Sequence, residues 1–398
     1  MKILNKLYAI FFEKENAEPL GLFRILVGIC IFVTFLLDAP FIADYYSNEG
    51  YMPLSQIPFA FSILQYASSV EIIYAAYVLL LIAAFFLTIG YKTRMASIVT
   101  FLLLLLFHER NSLILTSGDT LLRVLSFYLM IANSGAAYSV DSIKRKLKGK
   151  ETKLVPKWNR LLIKYQVSIF YFFAGFSKTP GTNWRNGTAV YYALNNPNFA
   201  RFLMPWLQKV PILVNIMSWG ALITELSVPF LLWFARARII AIAIVIILQL
   251  IIFATMSIGT FQIISIISVL IFLEKTEIDA FWNWLGRRKK YQLLYDGSCE
   301  FCKKCLVVIQ SMDVMKKFEH ADFRQQKIPS SQRKNLERQI WLVTPKKTYK
   351  GFFAFRKMAM LMPALWIIVP LLYLPFAGTI GTKIYNYISC KRFQFCKT

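Results

Sequence analysis

Three cysteines recur at intervals of three in Cys299-Glu-Phe-Cys302-Lys-Lys-Cys305, directly after Gln292-Leu-Leu-Tyr-Asp296-Gly-Ser. The apolar run over 292–295 predicts a strand, and 299–312 predicts a helix that opens at Cys299. A helix start offers unpaired N–H groups and a partial positive charge, which together stabilise a thiolate and make Cys299 the attacking sulfur. Cys302, one turn on, is placed to resolve a mixed disulfide. Asp296, three residues before Cys299, reads as a turn or cap residue or as the carboxylate that takes the resolving thiol's proton; both roles stay open. The competing chemistry is zinc, for which Cys299, Cys302, Cys305, Cys390 and Cys396 supply enough thiolates, although no second Cys-x-x-Cys pair is present. The order strand, Cys-x-x-Cys, helix favours a redox pair, which needs no cofactor. Cys30, inside an apolar run, reads as a packing residue.

A second set of reactive side chains lies inside apolar sequence, where burying charge is costly and ionisable residues are functional candidates. Arg24, Gly28 and Asp38 share one helical face, as do Asp119, Arg123, Ser126 and Asn133. Lys164, Ser168, Tyr171, Gly175 and Lys178 form a single stripe at helical spacing, and Glu225 sits in the middle of another run. Hydrogen bonding between helices is the plain reading of Arg24 and Lys164. Lys178 is set apart by its surroundings, Tyr171-Phe-Phe-Ala-Gly-Phe-Ser-Lys178 followed by Asn183-Trp-Arg-Asn-Gly-Thr-Ala189.

The elements that carry these residues follow from composition. With 57% hydrophobic and only 17% charged residues, the 398-residue chain is far more apolar than a soluble domain. Apolar runs near 20–38, 70–90, 94–107, 118–137, 161–178, 211–234, 238–256 and 258–273 predict a polytopic α-helical membrane domain of about eight spans. The net charge of +25 is explained by loops rather than by nucleic acid, for which no binding motif exists. Lys2, Lys6 and Lys14 precede the first run, 39–69 has no basic residue, and 138–160 holds eight, from Lys144 to Arg160. Placing the basic loops inward predicts a multi-pass cell-membrane protein with its N-terminus and C-terminal domain in the cytoplasm, in contact with anionic lipid. The uncharged loop Ser257–Thr260 then faces outward, with 179–210 as a basic outer exception.

Composition changes near Glu274. The reading is a membrane domain over 1–275, an interfacial linker over 276–290 with Phe281, Trp282 and Trp284, and an α/β domain over 291–398. In the last, a second strand is expected at 320–323 and a hairpin at 340–344 and 348–351. The apolar stretch 358–376 is broken by Pro363, Pro370 and Pro375, so helices lying on the domain or the membrane are expected there in preference to a ninth span.

Tyr295-Asp-Gly-Ser-Cys-Glu-Phe-Cys302, the hairpin ending in Gly351 and Tyr385-Asn-Tyr-Ile-Ser-Cys-Lys-Arg392 resemble the DCC thiol–disulfide oxidoreductase family. That resemblance implies a thioredoxin-like fold and a Cys299–Cys302 active pair, to which Cys305 is an addition. The Lys178 neighbourhood, with Gly21-Leu-Phe-Arg24, Tyr45-Tyr-Ser-Asn-Glu-Gly-Tyr51 and Arg110-Asn111 leading to Gly118-Asp119, resembles the HTTM family, which includes vitamin K-dependent γ-glutamyl carboxylases. It implies Lys178 as a base acting on a membrane hydroquinone, although Asn111 stands near where the carboxylases carry a histidine. The same region is similar to the membrane component of bacterial peptide-toxin maturation systems. The leading expectation is a membrane-anchored thiol–disulfide reductase acting on a protein or peptide disulfide, coupled to a membrane quinone. The alternatives are a carboxylase-like enzyme and a non-enzymatic maturation, export or immunity factor for a peptide.

Overall fold

The computed structural model describes residues 8, 10–51, 63–65, 69–150, 154–286, 290–326, 329, 333 and 335–395. Cys396 and the basic residues Lys2, Lys6, Lys153, Arg287, Arg288 and Lys289 lie outside the described residues. The chain divides into two compact units, one of residues 1–142 and 152–274 and one of 143–151 and 275–398.

In the first unit a helix forms on each of the eight apolar runs: α1 (Glu18–Leu37), α2 (Val70–Ile89), α3 (Thr93–Arg110), α4 (Ser117–Ile131), α5 (Trp158–Phe176), α6 (Pro211–Leu231), α7 (Ala235–Thr255) and α8 (Phe261–Leu270). Among the described residues four of them, α1, α2, α6 and α7, are long and apolar enough to cross a membrane by themselves. The others fall short for visible reasons. Arg94, Glu109 and Arg110 charge both ends of α3, Arg160 and Lys164 charge the start of α5, α4 has 15 residues, and α8 has 10, a length of about 15 Å. The polarity of this unit is turned inside out relative to a soluble protein. Arg24, Thr100, Gln249, Gln262 and Ser265 are buried, whereas Ile212, Ile216, Ile223, Ile240 and Ile247 are exposed. Such a surface suits hydrocarbon and would be an aggregation hazard in water.

Arg24 explains how helix ends are held. It is fully buried, and its Nη1 donates to Ser134 O at 3.1 Å and its Nη2 to Tyr138 O at 2.5 Å. One side chain thus satisfies two backbone carbonyls of the segment that follows α4. A short antiparallel pair, β1 (Lys14–Asn16) with β2 (Leu154–Pro156), ties the N-terminal segment to the start of α5. The sequence offers no alternation long enough to reveal it. Arg160 reinforces the tie by pairing with Glu15 and Glu274, both at 2.8 Å.

From residue 275 on, the second unit contains α9 (Lys275–Gly286) and a four-stranded sheet with strand order β4-β3-β5-β6, formed by β3 (Tyr291–Tyr295), β4 (Phe318–Asp322), β5 (Trp341–Val343) and β6 (Thr348–Lys350). β3 and β4 run parallel, joined through α10 (Glu300–Met312), whereas β5 and β6 form an antiparallel hairpin beside β3. Leu293 and Leu342 are fully buried and pack with Ala354 and Met358 of α11 (Phe352–Leu361). After α11 the chain turns by 120° into Pro363–Leu372. Pro363 cannot donate to a continuing helix, and the residue before it, Met362, is extended at φ −112° and ψ 110°. The unit ends in α12 (Ala377–Phe395). Tyr385 on α12 caps the sheet, its hydroxyl accepting from Ile340 N at 2.9 Å.

Candidate active site

Parallel strands β3 and β4 finish side by side, with Tyr295 opposite Asp322. The residues just beyond them are therefore neighbours, the usual place for reactive groups on a parallel sheet. Beyond β3 the chain runs Asp296-Gly297-Ser298 into α10, and Cys299 is the N-cap of that helix. Its Sγ accepts from Cys302 N at 3.4 Å, where a serine or aspartate oxygen would accept in an ordinary cap. A sulfur so placed meets the N–H groups and the positive end of the helix, the arrangement by which proteins stabilise thiolates. Cys299 is buried, while Cys302 and Cys305 are half-buried one and two turns on.

Asp296 is held by two residues, Ser298 and Arg324. Ser298 donates to its Oδ1 through both N (3.0 Å) and Oγ (2.8 Å), which makes it a turn-former, not the cap of α10. Arg324, just past β4, donates from Nε to Oδ1 at 2.7 Å and from Nη2 to Oδ2 at 3.1 Å. Burial pushes this carboxyl up, but the bonds from Arg324 and Ser298 outweigh it and hold the group below the usual carboxylate range. Asp296 is thus an ionised anchor for the loop and a weak proton acceptor. Arg324 was not visible as a site residue from sequence. Its signal would have been its position two residues after a strand parallel to the Asp296 strand.

The depressed carboxyl has a stability consequence. A group whose pKa is lowered on folding contributes stability above its unfolded value, about 3.9 for Asp, and that contribution is lost as pH falls through the folded value. Acid titration of hydrogen exchange at the β3 and β4 amides is expected to show this loss below about pH 4. In Asp296→Asn that acid-linked step should disappear while protection at neutral pH falls.

Gly297 completes the loop. Its N–H donates to Asp322 Oδ1 at 3.0 Å, and a Cβ built on it would lie 2.1 Å from Asp322 Oδ2. Next to the loop is a cavity of about 830 Å³ lined by Asp296, Cys302 and Cys305 on one side and by apolar residues of α10, α11 and α12, such as Ile309, Met358 and Ile384, on the others. That volume lies within the range of small-molecule and cofactor sites.

Of the five cysteines of the zinc reading, Cys396 lies outside the described residues. Among the described residues no three His, Cys, Asp or Glu side chains gather in a group that could hold a metal ion. Cys390 is exposed on α12.

Lys178 lies elsewhere, just beyond α5 in the membrane unit. Its Nζ is ion-paired with Glu225 of α6 and lies over the Trp184 ring at 5.4 Å from the centroid. The predicted stripe does form one contact line. Lys164 pairs with Glu274 at 3.2 Å, Tyr171 Oη donates to Ser265 O at 3.0 Å, and Gly175 packs on Leu226. Arg123 pairs with Glu109, and Asp119 completes a capping box with Thr116 at the start of α4. These residues serve helix-to-helix contacts and caps. Glu225 as the partner of Lys178 was the element not read from sequence.

Comparison with known proteins gives two family matches along the chain. Residues 12–276 match the model of the HTTM domain, and residues 293–398 match that of the DCC1-like thiol-disulfide oxidoreductase. The sporulation-delaying protein SdpB of Bacillus subtilis is 26% identical over 311 residues, covering 73% of this chain and 92% of that protein. No solved structure matches.

Proposed function

We propose, from the premise that the chain belongs to the HTTM family and carries a DCC1-like thiol-disulfide oxidoreductase domain, that it is a membrane-anchored reductase of protein or peptide disulfides. The observation that carries this reading is Cys299 at the start of α10, with its Sγ facing Cys302 N at 3.4 Å. Cys299 attacks as the thiolate, one sulfur of the substrate disulfide joins it, and the other leaves as a thiol. Cys302 then attacks Cys299, releasing the second substrate thiol and closing the Cys299–Cys302 bond. The parallel β3–β4 pair joined by α10, flanked by an antiparallel hairpin, supports a thioredoxin-like arrangement.

The distribution of Lys and Arg supports eight crossings with both termini in the cytoplasm. Glutathione and thioredoxin keep dithiols reduced there, which favours the reductase direction. No step at the thiol pair calls on a membrane quinone. Lys178, the base of the carboxylase-like reading, is ion-paired with Glu225.

The test uses the reduced full chain in lipid nanodiscs with glutathione disulfide as the model substrate. Release of glutathione with formation of a Cys299–Cys302 bridge supports the proposal. One tightly bound zinc per chain with no bridge would overturn it. A cytoplasm-dependent reporter fused after Thr398 should be active, and an external signal would reverse the assigned direction.

Lys178→Ala separates the two sites. It should leave the exchange rate within about twofold of the wild type while lowering membrane-unit stability by ~1–3 kcal/mol, because Glu225 loses its donor. The double variant Lys178→Ala/Glu225→Ala should recover much of that loss in thermal melts in detergent.

A further inference from the structure

Cys305 is the thiol that the redox pair leaves unexplained. Cys302 and Cys305 both line the 830 Å³ cavity, whereas Cys299 is not part of its wall. Cys302 is therefore shared, one turn from Cys299 on one side and one turn from Cys305 on the other, within a single helix start. Residues three apart on a helix bring their Cβ atoms to about 5–6 Å. A disulfide needs about 3.5–4.5 Å, so a Cys302–Cys305 bond requires the turn to tighten by one or two ångströms. A bond formed under that strain is easily reduced, which suits a transient intermediate and not a resting state.

We propose that Cys305 is a third redox-active thiol, which carries the disulfide from Cys299–Cys302 to Cys302–Cys305 on the cavity wall. This rests on the proposed oxidoreductase reading and deepens it. In the transfer the Cys305 thiolate attacks Cys302 Sγ. The Cys302–Cys305 bond forms, the Cys299–Cys302 bond breaks, and Cys299 leaves as a thiolate facing the Cys302 N–H. No electrons enter or leave the protein in this step. A dithiol entering the cavity then reduces the Cys302–Cys305 bond by two exchanges, leaving as its own disulfide and returning both cysteines to thiols. The consequence is a division of labour. Cys299 takes the substrate disulfide, and the cavity admits the dithiol that recharges the pair.

The experiment uses the full chain in nanodiscs, oxidised with diamide, with the bridges mapped by alkylation and peptide mass. Cys299→Ser should yield a Cys302–Cys305 bridge. Cys305→Ser and Cys305→Ala should form the Cys299–Cys302 bridge as the wild type does. With dihydrolipoamide as reductant, both variants should be recharged at least about tenfold more slowly than the wild type, since the exchange onto the cavity wall is removed. Absence of the Cys302–Cys305 bridge in Cys299→Ser, or recharging of the Cys305 variants at the wild-type rate, would overturn the relay while leaving the oxidoreductase reading intact. Failure of the wild type to form any Cys299–Cys302 bridge overturns both.

Discussion

Cys299→Ser is expected to stop disulfide reduction, lowering the rate on glutathione disulfide by about a thousandfold or more, because a serine hydroxyl at the same helix start is not an ionised nucleophile. Its partner variant should behave differently. In Cys302→Ser the attacking thiolate remains, so the first exchange proceeds and stalls as one glutathione adduct per chain on Cys299. The contrast between a dead variant and a trapped one assigns the roles. Adduct formation on Cys302 in the Cys299→Ser protein at the wild-type rate would show that the attacking sulfur is the wrong one. Both sulfurs lie at a helix start that already satisfies the loop through Asp296 and Ser298. Neither substitution is expected to unfold the domain, and circular dichroism of the variants checks that.

The second large effect is expected at Gly297, which makes no chemistry but fixes the distance between β3 and β4 at the site. Any Cβ there would meet the Asp322 carboxylate, at 2.1 Å from Oδ2 and 2.5 Å from Cγ. That carboxylate has little room to retreat, because its Oδ1 accepts from both Gly297 N and Arg324 N at 3.0 Å. Gly297→Val should therefore lose both bonds, displace Arg324 from Asp296 and release the loop that delivers Cys299 to the helix. The expected cost is about 1–3 kcal/mol from overpacking, with reductase activity falling at least tenfold. Hydrogen exchange at the β3 and β4 amides would report the opening directly. Wild-type protection and activity in Gly297→Val would mean that the close approach is not what holds the site.

The thiol domain was legible in the sequence because its signals are local. A short apolar run, a cysteine pair and an apolar helix in that order leave little choice, and β3 and α10 lie within a residue of their expected limits. Cys299 as the opening residue of the helix followed from the same pattern. Arg324 was hidden because its meeting with Asp296 depends on the parallel pairing of β3 with β4, which places residues 28 apart side by side. The pairing of Lys178 with Glu225, 47 residues apart, was hidden for the same reason, since it depends on which faces of α5 and α6 meet. The break at Pro363 was readable in advance, because proline acts on its own backbone and on the residue before it. The strand pair Lys14–Asn16 with Leu154–Pro156 was not, because three residues carry too little alternation to distinguish a strand from a loop. In the membrane unit, hydropathy located the helices, while the charges needed for helix contacts shortened the apolar stretch in α3 and α5.

Function as a disulfide reductase requires Cys299 and Cys302 to form one reversible two-electron couple. It is tested most directly by equilibrating the full chain in a series of glutathione redox buffers and counting alkylatable sulfurs by position. Cys299 and Cys302 are expected to lose reactivity together, in one two-electron transition, with a bridge joining them as the dominant oxidised form. Loss of reactivity at Cys302 while Cys299 stays alkylatable throughout the series would contradict it.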